Sequence, residues 1–174
     1  VEFVKDVSLV SAIPLVKKYN NLIVLRGVSK FFAAPGLRLG YACTSNNKLL
    51  RYIIRHGNPW TINSVAAYAG TVMFTDTEYI ERTRTLIQQE QSLICSALKS
   101  RKTIRVFEPS TNFVLLKIEK EGVDAPAAFE HCIRKGLMIR DCSNFLGLNS
   151  SYIRFCVLKP EDDDVLVNTL LEIL

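Results

Sequence analysis

Apolar positions along this chain follow three patterns: continuous runs, a helical period, and short strand-length segments. The runs LIVLRG at 22–27 and LRLGYACTS at 37–45 have strand length and suit strands buried on both faces, as in a parallel or mixed α/β sheet. SLVSAIPLVKKYNN at 8–21 predicts a short amphipathic helix stopped at Asn20-Asn21. GNPWTINSVAAYAGTVMF at 57–74 opens with turn residues, and Thr61 or Ser64 is placed to cap the helix that follows. From about Thr77 to Ser100, Ile80, Ile87 and Ile94 recur every seven residues with Leu93, Ala97 and Leu98 beside them. That predicts a helix of about 35 Å, long enough to connect two lobes.

Beyond this helix the elements shorten. IRVFEPSTNFVLLKI at 104–118 reads as strand, turn, strand, and APAAFEHCIRKG at 125–136 as a helix ended by Gly136. LMIRD and YIRFCV are short strands around the loop CSNFLGLNSS. The closing KPEDDDVLVNTLLEIL predicts a helix with Pro160 at its start and acids in its first turn, where the helix dipole favours them. The expected organisation is α/β: residues 1–90 as the later part of one sheet domain and residues 91–174 as a small α+β domain, with the boundary inside the long helix.

Composition narrows the function classes. Of 174 residues, 48% are apolar and 22% charged, a globular balance that excludes disorder. No apolar run reaches the roughly 18 residues needed to cross a bilayer. The net charge of +5 comes from dispersed Lys and Arg rather than from one basic face, which argues against nucleic acid as a partner and leaves buried arginines as candidate anion ligands. Cys43, Cys95, Cys132, Cys142 and Cys156 form no Cys-x-x-Cys pair, so a zinc or thioredoxin-type site is not expected. They read instead as reduced core thiols of a cytoplasmic protein. His56 and His131 stand apart, and no metal site is expected. The opening VEFVKDVSLV lacks a starting methionine and the features of a signal peptide, which predicts a truncated chain.

The chemistry concentrates in GVSKFFAAPGLRLGY at 27–41. Lys30 follows a strand, where ligand sites of open α/β sheets lie. Its apolar neighbours would lower its pKa by desolvation and free its amine to form a Schiff base. Arg38, between two leucines, needs an anion, and Ser29 supplies a hydroxyl beside the lysine. A lysine for imine formation, with serine and arginine for a phosphate, describes a pyridoxal-phosphate site.

These residues resemble the lysine segment of fold-type I pyridoxal-phosphate enzymes, the class I and II aminotransferases, with Lys30, Gly36, Arg38 and Gly40 matching the motif. The resemblance continues through PWTINSVAAYAG, STNFVLLKI and GLMIRDCSNFLGLNSSYIRFCV, and so covers nearly the whole chain. Its nearest branch is the histidinol-phosphate aminotransferases, together with the threonine-phosphate decarboxylases of cobalamin synthesis. IRDCSNFLGL followed by YIRF resembles the decarboxylase side more. The resemblance implies the C-terminal part of a large domain with a mixed, mostly parallel sheet, followed by the small α+β domain. It implies Lys30 as the Schiff-base lysine that also moves protons at the substrate α-carbon, and Ser29 and Arg38 as ligands of the cofactor phosphate. It implies Arg154 for the substrate α-carboxylate, Arg140 for a second anionic group such as a phosphate, and Asn144 on the substrate side. For the two arginines, internal ion pairs, for example with Asp141, are the competing reading.

Two departures qualify what is implied. Gly27 stands where the family usually carries a Ser or Thr that donates to the phosphate. The family's glycine-rich loop, ring-stacking aromatic, ring asparagine and pyridine-binding aspartate all precede the segment matched by Val1-Glu2-Phe3. The expectation is therefore a C-terminal portion, inactive alone, whose partners are the missing N-terminal half and a second subunit in a homodimer. Two alternatives stay open: the decarboxylase, and an aminotransferase-like sensor domain of a transcriptional regulator.

Overall fold

A computed structural model describes residues 1–174, which divide into two compact units: residues 1–2 with 6–81, and residues 3–5 with 82–174. In the first unit two short 3₁₀ helices, Val7–Leu9 and Ile13–Lys17, occupy the stretch expected to be one amphipathic helix. Pro14, at the start of the second, lacks the N–H that a continuous helix would use there. Strand β1 (Ile23–Gly27) pairs antiparallel with β2 (Gly40–Thr44) in a two-stranded sheet. Both strands leave most positions exposed, so the two-face burial read from their apolar runs is not met within these residues. Every strand pairing in the chain is antiparallel.

Helix α1 (Asn47–His56), absent from the sequence reading, is capped by the Asn46 side chain on the Leu49 N–H. Helix α2 (Ser64–Met73) is capped by Asn63, on the Ala66 N–H, rather than by Thr61 or Ser64. Arg26 is the buried cation of this unit, at 9% exposure. Its guanidinium donates to Glu2 Oε1 at 2.6 Å and Ser11 Oγ at 2.9 Å. The most deeply buried arginine is therefore neutralised internally and is not an anion site. Burial raises the Glu2 pKa, but hydrogen bonds from its own backbone N–H and from Arg26 outweigh that and lower it overall.

Helix α3 runs from Thr77 to Lys99, close to its expected span. The second unit is a four-stranded antiparallel sheet in the order β3 (Ile104–Val106), β4 (Phe113–Ile118), β6 (Tyr152–Cys156), β5 (Arg140–Asp141). Along β4, Val114, Leu116 and Ile118 are buried while Phe113, Leu115 and Lys117 are not; along β6, Ile153 and Phe155 are buried between Tyr152 and Arg154. One face therefore packs into a core with Ile94 and Leu98 of α3, Ala128 and Cys132 of α4 (Ala125–Ile133), and Leu166 and Leu170 of α5 (Pro160–Ile173). The other face carries Phe113, Leu115 and Lys117 of β4 with Tyr152 and Arg154 of β6. Gly136 lies three residues beyond α4 with φ of +77°, a left-handed position that ends the segment as expected.

Asp163 in the first turns of α5 is 1% exposed. Both of its carboxylate oxygens accept from the Leu158 N–H, at 3.1 and 3.0 Å. Burial is the largest cause that raises its pKa, to about 6; the Leu158 bond opposes the rise and the charge of Glu90 adds to it. The folded state then holds a proton that the unfolded chain releases near pH 4, so stability declines as pH rises from about 4 to about 6 and levels off above. Asp163→Asn keeps an acceptor for Leu158 and removes the titration. Denaturant midpoints taken across that window should fall by the equivalent of on the order of 2 kcal/mol in the parent chain. They should stay nearly flat in the variant.

Candidate functional site

The first group of candidate residues sits on the loop between β1 and β2. Gly27 and Gly40 are directly paired, and Val28 N–H donates to Leu39 C=O at 3.3 Å, which closes the loop at its base. A Cβ on Gly40 would lie 2.8 Å from the Arg26 carbonyl oxygen, so this close approach requires glycine. Ser29 and Arg38 are the first residues beyond the closure on either side, and Lys30 follows Ser29. Sequence-distant by nine positions, Ser29 and Arg38 are thus brought to one neck.

The loop is held from beneath. Phe31, 3% exposed, packs edge-on against Phe32 and Tyr79, and Phe32 stacks on Tyr79 with ring centroids 5.6 Å apart. Tyr79 O–H donates to the Phe31 carbonyl at 2.9 Å, one residue after Lys30. On the other limb, Asn63 Nδ2 donates to the Leu37 carbonyl at 3.3 Å while its oxygen caps α2. Leu39 packs so closely on α2 that a Cβ at Gly70 would lie 3.0 Å from its side chain. Arg38 adopts the left-handed conformation, φ +54°, at the end of a 3₁₀ turn, and Ala33 is left-handed too, φ +49°. Such positions cost on the order of 1 kcal/mol and persist where surrounding contacts impose them.

Lys30 and Arg38 are exposed, which differs from the apolar burial read from their neighbours. In a turn rather than a strand, flanking apolar residues point away: Val28 and Phe31 go inward and Lys30 outward. Arg38 donates one bond, Nη1 to Pro35 C=O at 2.9 Å, and no carboxylate pairs with it. The neck therefore presents a hydroxyl, an ammonium and most of a guanidinium with their donors unspent, a donor set that fits a phosphate monoester next to an amine-reactive carbonyl.

The second group lies in the other unit. Arg140 and Arg154 are direct cross-strand partners in β5 and β6 and so share a face of the sheet. It is the face away from the helical core, since Arg154 alternates with buried Ile153 and Phe155. Arg154 is half-buried and Arg140 exposed. The internal ion pair with Asp141 does not form: Asp141 Oδ1 accepts from the Ser143 N–H at 2.8 Å, and neither arginine pairs with a carboxylate. Asn144 Oδ1 accepts from Arg140 Nη2 at 3.1 Å, joining it to this group. The rings of Phe145 and Phe113 also reach the arginines, and sequence reasoning missed both. The only signal for Phe145 was its place directly after Asn144, and Phe113 carried none beyond lying at the start of a strand-like run. A cavity of about 760 Å³ opens beside β5 and β6, lined by Phe129, Met138, Ile139, Leu166 and both arginines.

Burial pushes the Cys95, Cys132 and Cys142 thiols up, keeping them protonated and unreactive, and no cysteine is in a disulfide. His56 Nδ1 lies 2.9 Å from the Tyr52 carbonyl, and His131 contacts Glu172 at 3.1 Å. No helix is long and apolar enough to cross a membrane.

Comparison with known proteins supplies the family context. A family model described as aminotransferase class I and II matches residues 2–170. Histidinol-phosphate aminotransferase 2 of Archaeoglobus fulgidus is 38% identical over 173 residues, 99% of this chain and 47% of that protein. Threonine-phosphate decarboxylase of Salmonella typhimurium is 31% identical over 162 residues, 93% of this chain and 44% of that protein. The crystal structure of the histidinol-phosphate aminotransferase from Clostridium acetobutylicum superposes with a TM-score of 0.92 at 33% identity, covering 99% of this chain and 51% of that one. The chain spans about half the length of the curated relatives it matches.

Tyr79→Phe should remove the bond to the Phe31 carbonyl and destabilise the first unit by about 1 kcal/mol. Amide exchange at Phe32 and Ala33 should quicken while exchange along α4 and α5 stays as it was. Gly27→Ser meets no atom within 4 Å of the new Cβ, so its melting temperature should match the parent's.

Proposed function

We propose, because this chain belongs to the class I and II aminotransferase family, that it forms the part of a pyridoxal-phosphate enzyme that anchors the cofactor and grips an amino-acid substrate. Ser29 and Arg38 hold the cofactor phosphate at the neck of the β1–β2 loop. Lys30 is the amine that fixes the cofactor and then carries the proton to and from the substrate α-carbon. When bound, pyridoxal phosphate supplies the electron sink that makes bonds at that carbon labile. Arg154 takes the substrate α-carboxylate, and Arg140, oriented by Asn144, takes a second anionic group, as a phosphorylated amino acid or amine would carry. The first unit then belongs to the large cofactor-binding domain and the second to the small domain that closes on substrate.

The observation that carries this reading is the arginine pair. Two guanidinium groups directly opposite each other on one sheet repel, and no carboxylate relieves them. A bound dianion, or two anionic groups of one ligand, would do so. Transamination of a histidinol-phosphate-like substrate is the leading activity. Decarboxylation of a phosphorylated amino acid is the second reading, favoured by the likeness to the Salmonella decarboxylase. The two differ in which bond to the α-carbon the carboxylate grip sets perpendicular to the cofactor ring.

The other half of the enzyme is the implied partner, with a homodimer as the complete assembly and the cytoplasm, where free thiols persist, as its compartment. The first unit leaves Leu25, Ile54, Trp60 and Tyr68 more than 60% exposed, which gives the other half an apolar surface to cover. The 174-residue chain alone should therefore show no measurable turnover, and appreciable turnover would overturn the assignment of partner.

For the complete enzyme, borohydride reduction and peptide mapping should place the label on Lys30, and Lys30→Ala should lower kcat by at least about 10³-fold. Label on another lysine would overturn the anchor. Carbon dioxide release from threonine phosphate, without amino transfer between histidinol phosphate and 2-oxoglutarate, would select the decarboxylase.

A further inference from the structure

Arg140 and Arg154 face each other across β5 and β6 with no acid between them, yet both are ordered against the same side chain. The Arg140 guanidinium carbon lies 5.5 Å from the centre of the Phe145 ring, and that of Arg154 also lies 5.5 Å from it. Arg154 is in addition 4.8 Å from the ring of Phe113. Phe113 belongs to β4, where Leu115 is the direct partner of Arg154, so this ring approaches on the diagonal of the same face. The negative face of an aromatic ring attracts a guanidinium and leaves its in-plane N–H donors available to another ligand, unlike a carboxylate, which would occupy them.

The ring of Phe145 is itself fixed by its backbone. Phe145 N–H donates to Cys142 C=O at 3.0 Å, and Phe145 C=O accepts from Leu148 N–H at 3.0 Å. Gly147, with φ of +85°, permits the tight return between them, and Asp141 secures the loop's start through Ser143. The loop thus presents one aromatic ring, 39% exposed, at the spot where two like charges meet.

We propose that Phe145 is the positioning residue of this anion site. Its ring holds the two guanidinium groups at a fixed separation with their donors free, and Phe113 completes the orientation of Arg154. The inference deepens the reading that Arg140 and Arg154 bind substrate anions, and rests on it. An aliphatic residue at 145 keeps the apolar contact but loses the ring, so both anion contacts weaken together. A different ring restores them.

The test uses the full-length holoenzyme, with the cofactor site filled, and inorganic phosphate as the anion probe. Phe145→Leu should raise the inhibition constant for phosphate and the KM for substrate about five- to tenfold, with kcat changed less than about twofold. Cofactor absorbance and melting temperature should stay at parent values. Phe145→Trp should return phosphate binding to within about twofold of the parent. Phe113→Leu should give a smaller loss, because it touches Arg154 alone. Parent-like phosphate binding in Phe145→Leu would overturn the proposal, as would a Trp variant that binds no better than the Leu variant. Arg140→Gln separates the anion reading from the positioning role. If it weakens phosphate binding while Phe145→Leu does not, the positioning role falls and the anion reading stands. If Arg140→Gln leaves phosphate binding unchanged, the anion reading falls and takes the positioning role with it.

Discussion

The period of two along β4 and β6 sets which face of the second unit's sheet each of their side chains takes. Val114, Leu116, Ile118, Ile153 and Phe155 are drawn under α3, α4 and α5 because burying them is the main source of that unit's stability. The residues between them have no choice but the opposite face. Arg154 and Phe113 point there because their neighbours point inward, and Arg140 joins them through its pairing with Arg154. The same constraint that forms the core therefore assembles the guanidinium pair. A one-residue slip of β6 would bury Arg154 and expose Ile153 and Phe155 together.

The first unit works by a different device. Its loop is closed by a glycine pair and tied down through main-chain carbonyls, Phe31 by Tyr79 and Leu37 by Asn63. Side-chain donors at the neck are left unspent while the backbone around them is fixed. This division suits a site that must hold a charged group firmly and keep one amine free to react. Arg26 marks the contrast. Three residues before Ser29, it is buried and fully engaged by Glu2 and Ser11, so its charge serves folding and not ligand binding.

Two arginines on one sheet show how charge can be stored without being neutralised. An acid at either side would quiet the repulsion but would also compete with any anionic ligand. Aromatic rings avoid that competition, since they meet the guanidinium on its face and not along its N–H edge. Asn144, an amide acceptor without charge, follows the same logic at Arg140. Partners of these kinds leave most of a cation's N–H donors free, and the fold supplies them at both arginines.

Much of this was legible in the order of residues. The long helix, the strands β4 and β6, the acidic start of α5 and the spacing of Ser29, Lys30 and Arg38 all rest on local periods, runs or motifs, which a chain carries in itself. Tertiary structure decided the rest. It alone determined that Arg26, and not Arg38, is the buried cation, because burial depends on what packs above a strand. It exposed Lys30 by placing it in a turn whose apolar neighbours face inward. It set a shared Phe145 ring beside the two arginines and left the competing Arg–Asp141 pair unformed, since that contact joins a loop to two strands through backbone geometry that no period in the sequence encodes.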